Sequence, residues 1–198
     1  LIKVLLKKLK WFMNKKYWDA FYKKPHISAP SDFAEFCQTH YLKKRKTIID
    51  FGCGNGRDSY YFAKSGHTVI GIDSAIKPEN AHKCYFYKSS FSSPDIQWDG
   101  GKVVYSRFFL HAISNKEIKY LIEKSQGYFM AEARALGDKP LIWPNHDRNY
   151  IRGNWLLHQL IKNNFKILYF KQGRDMAVYK SENPLVIRVI AKKLKPKK

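Results

Sequence analysis

Acid, cysteine and long apolar runs are all scarce in this chain, and each shortage removes a class of protein. Only 16 Asp and Glu stand against 37 Lys and Arg, a formal charge of +21. Such a field attracts polyanions: nucleic acid, anionic lipid or phosphorylated substrates. The three cysteines, Cys37, Cys53 and Cys84, lie far apart, with no Cys-x-x-Cys or Cys/His ligand spacing. That argues against a disulfide scaffold or a zinc site and for a reducing compartment. No run approaches the roughly 18 apolar residues that a membrane span needs. Leu1 to Leu9 is broken by lysines and does not read as a signal core, so the cytoplasm is the expected location.

What is present suffices for one globular domain. The chain has 198 residues, 44% of them hydrophobic and 16% aromatic, enough for a sizeable core. Much of the positive charge sits in the N-terminal stretch (Lys3, Lys7, Lys8, Lys10, Lys15, Lys16), in Lys43 to Lys46 and in Lys192 to Lys198. Solvated surface and a polyanion site are equally good readings of it. Ile2, Leu5, Leu6, Leu9, Phe12 and Met13 recur at helical spacing between the lysines, which predicts a basic amphipathic helix. Such a helix covers its own domain's core or lies on an anionic membrane at the inner face. Residues 1–30 thus read as a helical cover, 31–192 as the domain proper and 193–198 as a basic tail.

From Ser31, a candidate N-cap for a helix through Phe33, Phe36 and Cys37, the chain alternates helix and strand. Thr47 to Phe51 is a short β-branched run, and Arg57 to Ser65 is helix-like. His67 to Asp73, Cys84 to Tyr87, Lys102 to Tyr105 and Tyr128 to Ala131 read as strands, with a helix over Lys116 to Ser125. Leu156 to Asn163 reads as helix, and Ile167 to Phe170, Ala177 to Lys180 and Leu185 to Ala191 as strands. The alternation predicts an α/β fold, a mostly parallel sheet with helices on both faces and its last strands antiparallel.

The most specific signal is Asp50-Phe51-Gly52-Cys53-Gly54-Asn55-Gly56-Arg57-Asp58. Glycines are needed where backbone turns sharply from strand to helix and meets a ligand without a Cβ in the way. Here the loop follows a strand and opens a helix, and the next strand ends in Asp73, which can accept hydrogen bonds from both ribose hydroxyls. The spacing of Gly52, Gly54 and Gly56, with Arg57 where a dinucleotide loop has its last glycine, fails for NAD. It resembles the Gly-x-Gly-x-Gly loop of class I S-adenosylmethionine-dependent methyltransferases. Val103 to Ile113 is similar to that family's strand-four segment. Ala131 to Arg134, His146 to Ile151 and Gly173 to Tyr179 resemble a bacterial subgroup encoded with lipopolysaccharide or capsule genes.

The resemblance spans about Tyr17 to Lys192 and implies a seven-stranded, Rossmann-like methyltransferase fold that binds S-adenosylmethionine. It assigns Asp50 to the cofactor's amino group and Asp73 to its ribose. Gly52, Cys53, Gly54, Gly56, Ser74, Ser89, Ser90, Tyr105 and Ser106 would complete the cofactor crevice. The acid that usually ends the third strand is missing; Ser89 and Ser90 stand there instead.

For the acceptor, the loops after strands four and five carry Arg107, His111, Glu132, Arg134, His146, Arg148 and Tyr150. A sugar hydroxyl would call for His111 or His146 as base. A phosphate oxygen needs none, only arginines to orient it, and Arg107, Arg134, Arg148 and Arg174 favour that anionic acceptor. Plainer readings stand beside these: His111 bonded to backbone, and Glu132 with Arg134 as an ion pair. The expected activity is O-methylation of a surface-glycan or phosphoryl-bearing precursor. Methylation of RNA is the rival. Base-amino chemistry is disfavoured because Tyr105-Ser106-Arg107-Phe108 replaces the Asp/Asn-Pro-Pro-Tyr segment, and C5 chemistry because no cysteine follows a proline. A non-catalytic cofactor-binding or membrane-surface module is the third alternative.

Overall fold

A computed structural model describes residues 28–91, 102–139, 148–179 and 181–195. The amphipathic helix expected near the N-terminus and His146 fall outside these residues, as do residues 196–198 of the basic tail. No helix among the described residues is long and apolar enough to cross a membrane.

Helix α1 (Asp32–Tyr41) precedes β1 (Thr47–Phe51), α2 (Arg57–Lys64), β2 (Thr68–Asp73), β3 (Cys84–Lys88) and β4 (Val103–Arg107). A single 3-10 turn (Leu110–Ala112) leads to α3 (Asn115–Lys124) and β5 (Tyr128–Arg134). Then come α4 (Gly153–Lys162), β6 (Phe165–Gly173) and β7 (Val186–Lys193). The seven strands form one sheet in the order β3-β2-β1-β4-β5-β7-β6. Pairing is parallel from β3 through β5, while β7 runs antiparallel to both β5 and β6. The expected α/β architecture is present.

The central strands are continuous apolar runs because both of their faces are covered. Ile49, Phe51 and Val104 face a cluster with Ile118, Leu121 and Ile122 of α3 and Leu156 and Leu160 of α4. Ile48, Val103 and Tyr105 face the opposite cluster, with Phe33 and Cys37 of α1 and Phe62 of α2. Ser31 is the N-cap of α1, its hydroxyl accepting from the Ala34 N–H, and α3 starts with a capping box between Ser114 and Glu117.

One expected strand, Ala177 to Lys180, is absent among the described residues. Of that stretch, residues 177–179 contribute only the isolated bridge Tyr179–Glu182, inside the connection from β6 to β7. Met176 and Ala177 turn inward there onto Val186, with Phe108 packed against them. The β-branched appearance of that stretch reflects packing of a loop, not a ladder.

Candidate active site at the carboxyl edge of the sheet

The turn from β1 to α2 passes through the left-handed region at Gly52 (φ 72°), Gly54 (φ 55°) and Gly56 (φ 79°). That conformation disfavours any residue with a Cβ. Two of these glycines are also required by the protein's own aromatic rings. A Cβ on Gly52 would lie 2.8 Å from the Phe109 side chain, and one on Gly56 would lie 2.7 Å from Phe86. Phe86 also packs onto Gly71 in β2, where a Cβ would come within 2.4 Å of the ring. The loop is thus clasped between two phenylalanines that sequence reasoning did not single out.

Hydrogen bonds fasten it to β2. The Ile72 carbonyl accepts from the N–H groups of Gly52 (2.8 Å) and Cys53 (3.3 Å), and the Gly54 N–H donates to Asp73 Oδ2 at 3.1 Å. Asp73 Oδ1 accepts from the Ala75 N–H at 2.8 Å. The Ile76 N–H also donates to Oδ1, at 3.4 Å; a carboxylate offers about four acceptor positions, so Asp73 retains about one, on Oδ2, for a ribose hydroxyl. Burial raises its pKa above the usual carboxylate value, opposed by these backbone donors. Ser74 is exposed beside it, and Ser89, half-buried, is tied in by its N–H to the Asp73 carbonyl at 3.0 Å. Ser90 is exposed at the same end of β3.

Asp50 sits beneath the loop, buried, accepting a 2.6 Å hydrogen bond from the Ser59 hydroxyl of α2. Burial pushes its pKa up to about 8, so near neutrality it carries a proton unless a cation lies beside it.

Tyr105 does not line this crevice with its side chain. Its hydroxyl donates at 2.7 Å to Asp58 Oδ2, in the first turn of α2, and burial raises its pKa well above the ordinary phenol. Asp58 also accepts from the Ser31 hydroxyl (2.7 Å) and the Ser31 N–H (2.8 Å). One buried carboxylate therefore joins the N-cap of α1 to α2 and β4. Ser106 points to the other face of the sheet, where its hydroxyl is buried with no hydrogen-bond partner among the described residues.

On the acceptor side, Arg107, Glu132 and Arg188 lie side by side on β4, β5 and β7. Arg107 Nε donates to Glu132 Oε1 at 2.9 Å and Arg188 Nε to Glu132 Oε2. Arg134 does not pair with Glu132, the plainer of the two readings of these residues; it binds Asp138 (2.8 Å) and Glu182. Arg174 likewise turns to Asp138, at 3.4 Å. Alternation explains the difference: residues 132 and 134 share a face, but each finds its partner across the sheet or in the following turn. Three of the four arginines expected to grip an anion, Arg107, Arg134 and Arg174, are therefore engaged in internal ion pairs.

Phe108 adopts φ 56°, uncommon for a residue with a bulky side chain. Its ring carries the Arg107 guanidinium 4.5 Å from the centroid and meets the His111 ring edge-on. His111 is buried, and its Nδ1 accepts from the Arg134 N–H at 3.2 Å. In the neutral ring this places the proton on Nε2. The segment carrying Arg148 is stitched alongside, the Asn149 N–H donating to the His111 carbonyl at 2.8 Å and the Asn149 amide to the Ile113 carbonyl at 2.9 Å. Arg148 and Tyr150 are half-buried there.

Asp58, quoted with the glycine motif but given no role, and Ser59 next to it had proximity as a usable signal. For Phe108 and Arg188 nothing local announced a role.

No protein-family model and no curated protein matches the chain. Solved structures do. A methyltransferase from Anabaena variabilis superposes with a TM-score of 0.67 at 17% identity, covering 92% of this chain and 94% of its own. One from Methanosarcina mazei gives 0.64 at 20% identity, covering 79% and 96%. The 1,6-didemethyltoxoflavin-N1-methyltransferase of Burkholderia thailandensis, solved with S-adenosylhomocysteine, gives 0.65 at 15% identity, covering 82% and 77%. Strand order, the antiparallel β7 and these superpositions together establish the Rossmann-like fold of class I S-adenosylmethionine-dependent methyltransferases for this chain.

Proposed function

We propose that the protein is an S-adenosylmethionine-dependent O-methyltransferase acting on a surface-glycan or phosphoryl-bearing precursor. The observation that carries the cofactor assignment is the glycine loop closed onto Asp73, with Asp50 buried beneath it. The left-handed glycines set the sharp turn that presents the loop's backbone at the crevice, Asp73 keeps an acceptor position for a ribose hydroxyl, and Asp50 can balance an ammonium group. These residues fit the cofactor, which when bound supplies a sulfonium-activated methyl group for in-line displacement.

The chain's own contribution is alignment. Holding acceptor and donor at about 3–3.5 Å replaces a bimolecular encounter by a near-unimolecular step. With Nδ1 of His111 occupied by the Arg134 N–H, that ring is a poor proton acceptor, which favours an oxygen already ionised. The charge of +21 and Arg148, next in the chain to Asn149, whose N–H bonds the His111 carbonyl, support the same reading. The lipopolysaccharide or capsule connection rests on the sequence resemblance, as does a cytoplasmic site with the N-terminal basic helix on the inner membrane face.

Transfer of a tritiated methyl group tests it, with phosphorylated sugars, lipid-linked glycan precursors and RNA as acceptors. Label in the glycan fractions that falls far more with Arg148→Ala than with His146→Ala is expected. Label confined to RNA would move the activity to the nucleic-acid rival, and the reverse order of the variants would favour a hydroxyl acceptor with a base.

A further inference from the structure

Arg107, Glu132 and Arg188 form a row with one negative charge between two positive ones. A buried cluster that is net positive is costly unless another anion completes it. The buried Asp58 carboxylate of α2 also acts electrostatically on Arg107 and offsets part of that excess. The partners of Arg188 are internal: Nε lies on Glu132 and Nη2 donates to the Met176 carbonyl. Arg107 differs. Only its Nε is engaged, while its two terminal amino groups make no hydrogen bond among the described residues. A fifth of its side chain, 21%, remains accessible. The guanidinium is nevertheless held in place, by Glu132 on one side and by the Phe108 ring 4.5 Å away.

Register fixes what it faces. Asp50 of β1 is opposite Tyr105 of β4, and side chains two apart share a face. Arg107 therefore projects on the same side as Asp50, one step nearer the carboxyl edge, where β1 gives way to Gly52. A carboxylate lies under one side of the glycine loop and a guanidinium beside its mouth. An acid and a guanidinium on one face at the mouth of the loop suit the two ends of a zwitterion, whose ammonium would keep Asp50 ionised.

We infer that Arg107 binds the α-carboxylate of the cofactor's amino-acid end, through its terminal amino groups, while Asp50 faces the α-ammonium. This rests on the cofactor reading above and reassigns Arg107 from the acceptor to the cofactor. The row behind it acts as a brace: Glu132 sets the guanidinium plane, and Arg188 holds Glu132.

The test is calorimetric titration of wild type and Arg107→Gln with two ligands. One is S-adenosylhomocysteine; the other is its decarboxylated analogue, S-adenosyl-3-thiopropylamine, which keeps the ammonium. The expected result is that wild type binds the first more tightly by about 10- to 100-fold, the usual range for a charge-assisted hydrogen-bonded pair. Arg107→Gln should lose that preference while binding the analogue within about twofold of wild type. Equal losses for both ligands would reduce Arg107 to a structural role, and an undiminished preference would remove it from the site; either overturns the inference. Wild type binding neither ligand would instead overturn the cofactor reading itself.

Discussion

Glu132 bridges Arg107 and Arg188 across three adjacent strands, with no solvent exposure of its own. Removing it leaves two guanidinium groups facing each other in the interior. Loss of one partner from a buried ion pair costs about 3–5 kcal/mol. Glu132→Gln is expected to destabilise the fold by that order in urea denaturation. A variant within about 1 kcal/mol of wild type would mean that solvent already screens the row.

Gly52 is constrained twice, by φ 72° and by Phe109 2.8 Å from where a Cβ would be. Gly52→Ala should weaken S-adenosylhomocysteine binding and lower stability by about 1–2 kcal/mol from the left-handed backbone alone. Adding Phe109→Ala relieves the clash but not the backbone strain. The double variant should therefore recover part of the lost affinity, measured by calorimetry, and not all of it.

The pKa of Asp50 is raised by burial to about 8, against about 3.9 in an unfolded chain. Between those values the folded state holds a proton that the unfolded state has released. Its contribution is thus fully present below pH 4 and lost as the pH climbs to 8, at up to about 1.4 kcal/mol per pH unit. Asp50→Asn should flatten that part of the profile, seen as the difference between the two proteins' denaturation curves at pH 5.5, 6.5 and 7.5. Parallel profiles would show that Asp50 is ionised throughout.

His111 accepts from backbone through Nδ1 and is not the base in this account. The activity profile should therefore show no pH limb that disappears in His111→Gln. Base catalysis would contribute about 10²–10⁴-fold, so a loss of that size together with loss of such a limb would restore His111 to that role.

The sheet was legible where local pattern and tertiary need coincide. Thr47 to Phe51 is buried on both faces, and its β-branched run matches β1 residue for residue. The glycine motif, a local constraint on φ, was equally readable. Partnerships were not. Glu132 and Arg134 look like a pair in sequence, but register across β4, β5 and β7 decides that Arg107 and Arg188 take the glutamate. Tyr105 read as a crevice residue because it follows the strand-four pattern; its hydroxyl goes to Asp58, 47 positions away in sequence. The stretch at Ala177 has strand composition and lies in a loop because Phe108 and Val186 offer it an apolar seat.

The central claim is that the loop between Asp50 and Asp73 binds S-adenosylmethionine. Calorimetric titration of wild type and Asp73→Ala with S-adenosylhomocysteine tests it most directly. The account predicts saturable one-to-one binding to wild type that is lost in an Asp73→Ala variant still folded by circular dichroism. A folded wild type that takes up no ligand, or an Asp73→Ala protein that binds as tightly, would contradict it.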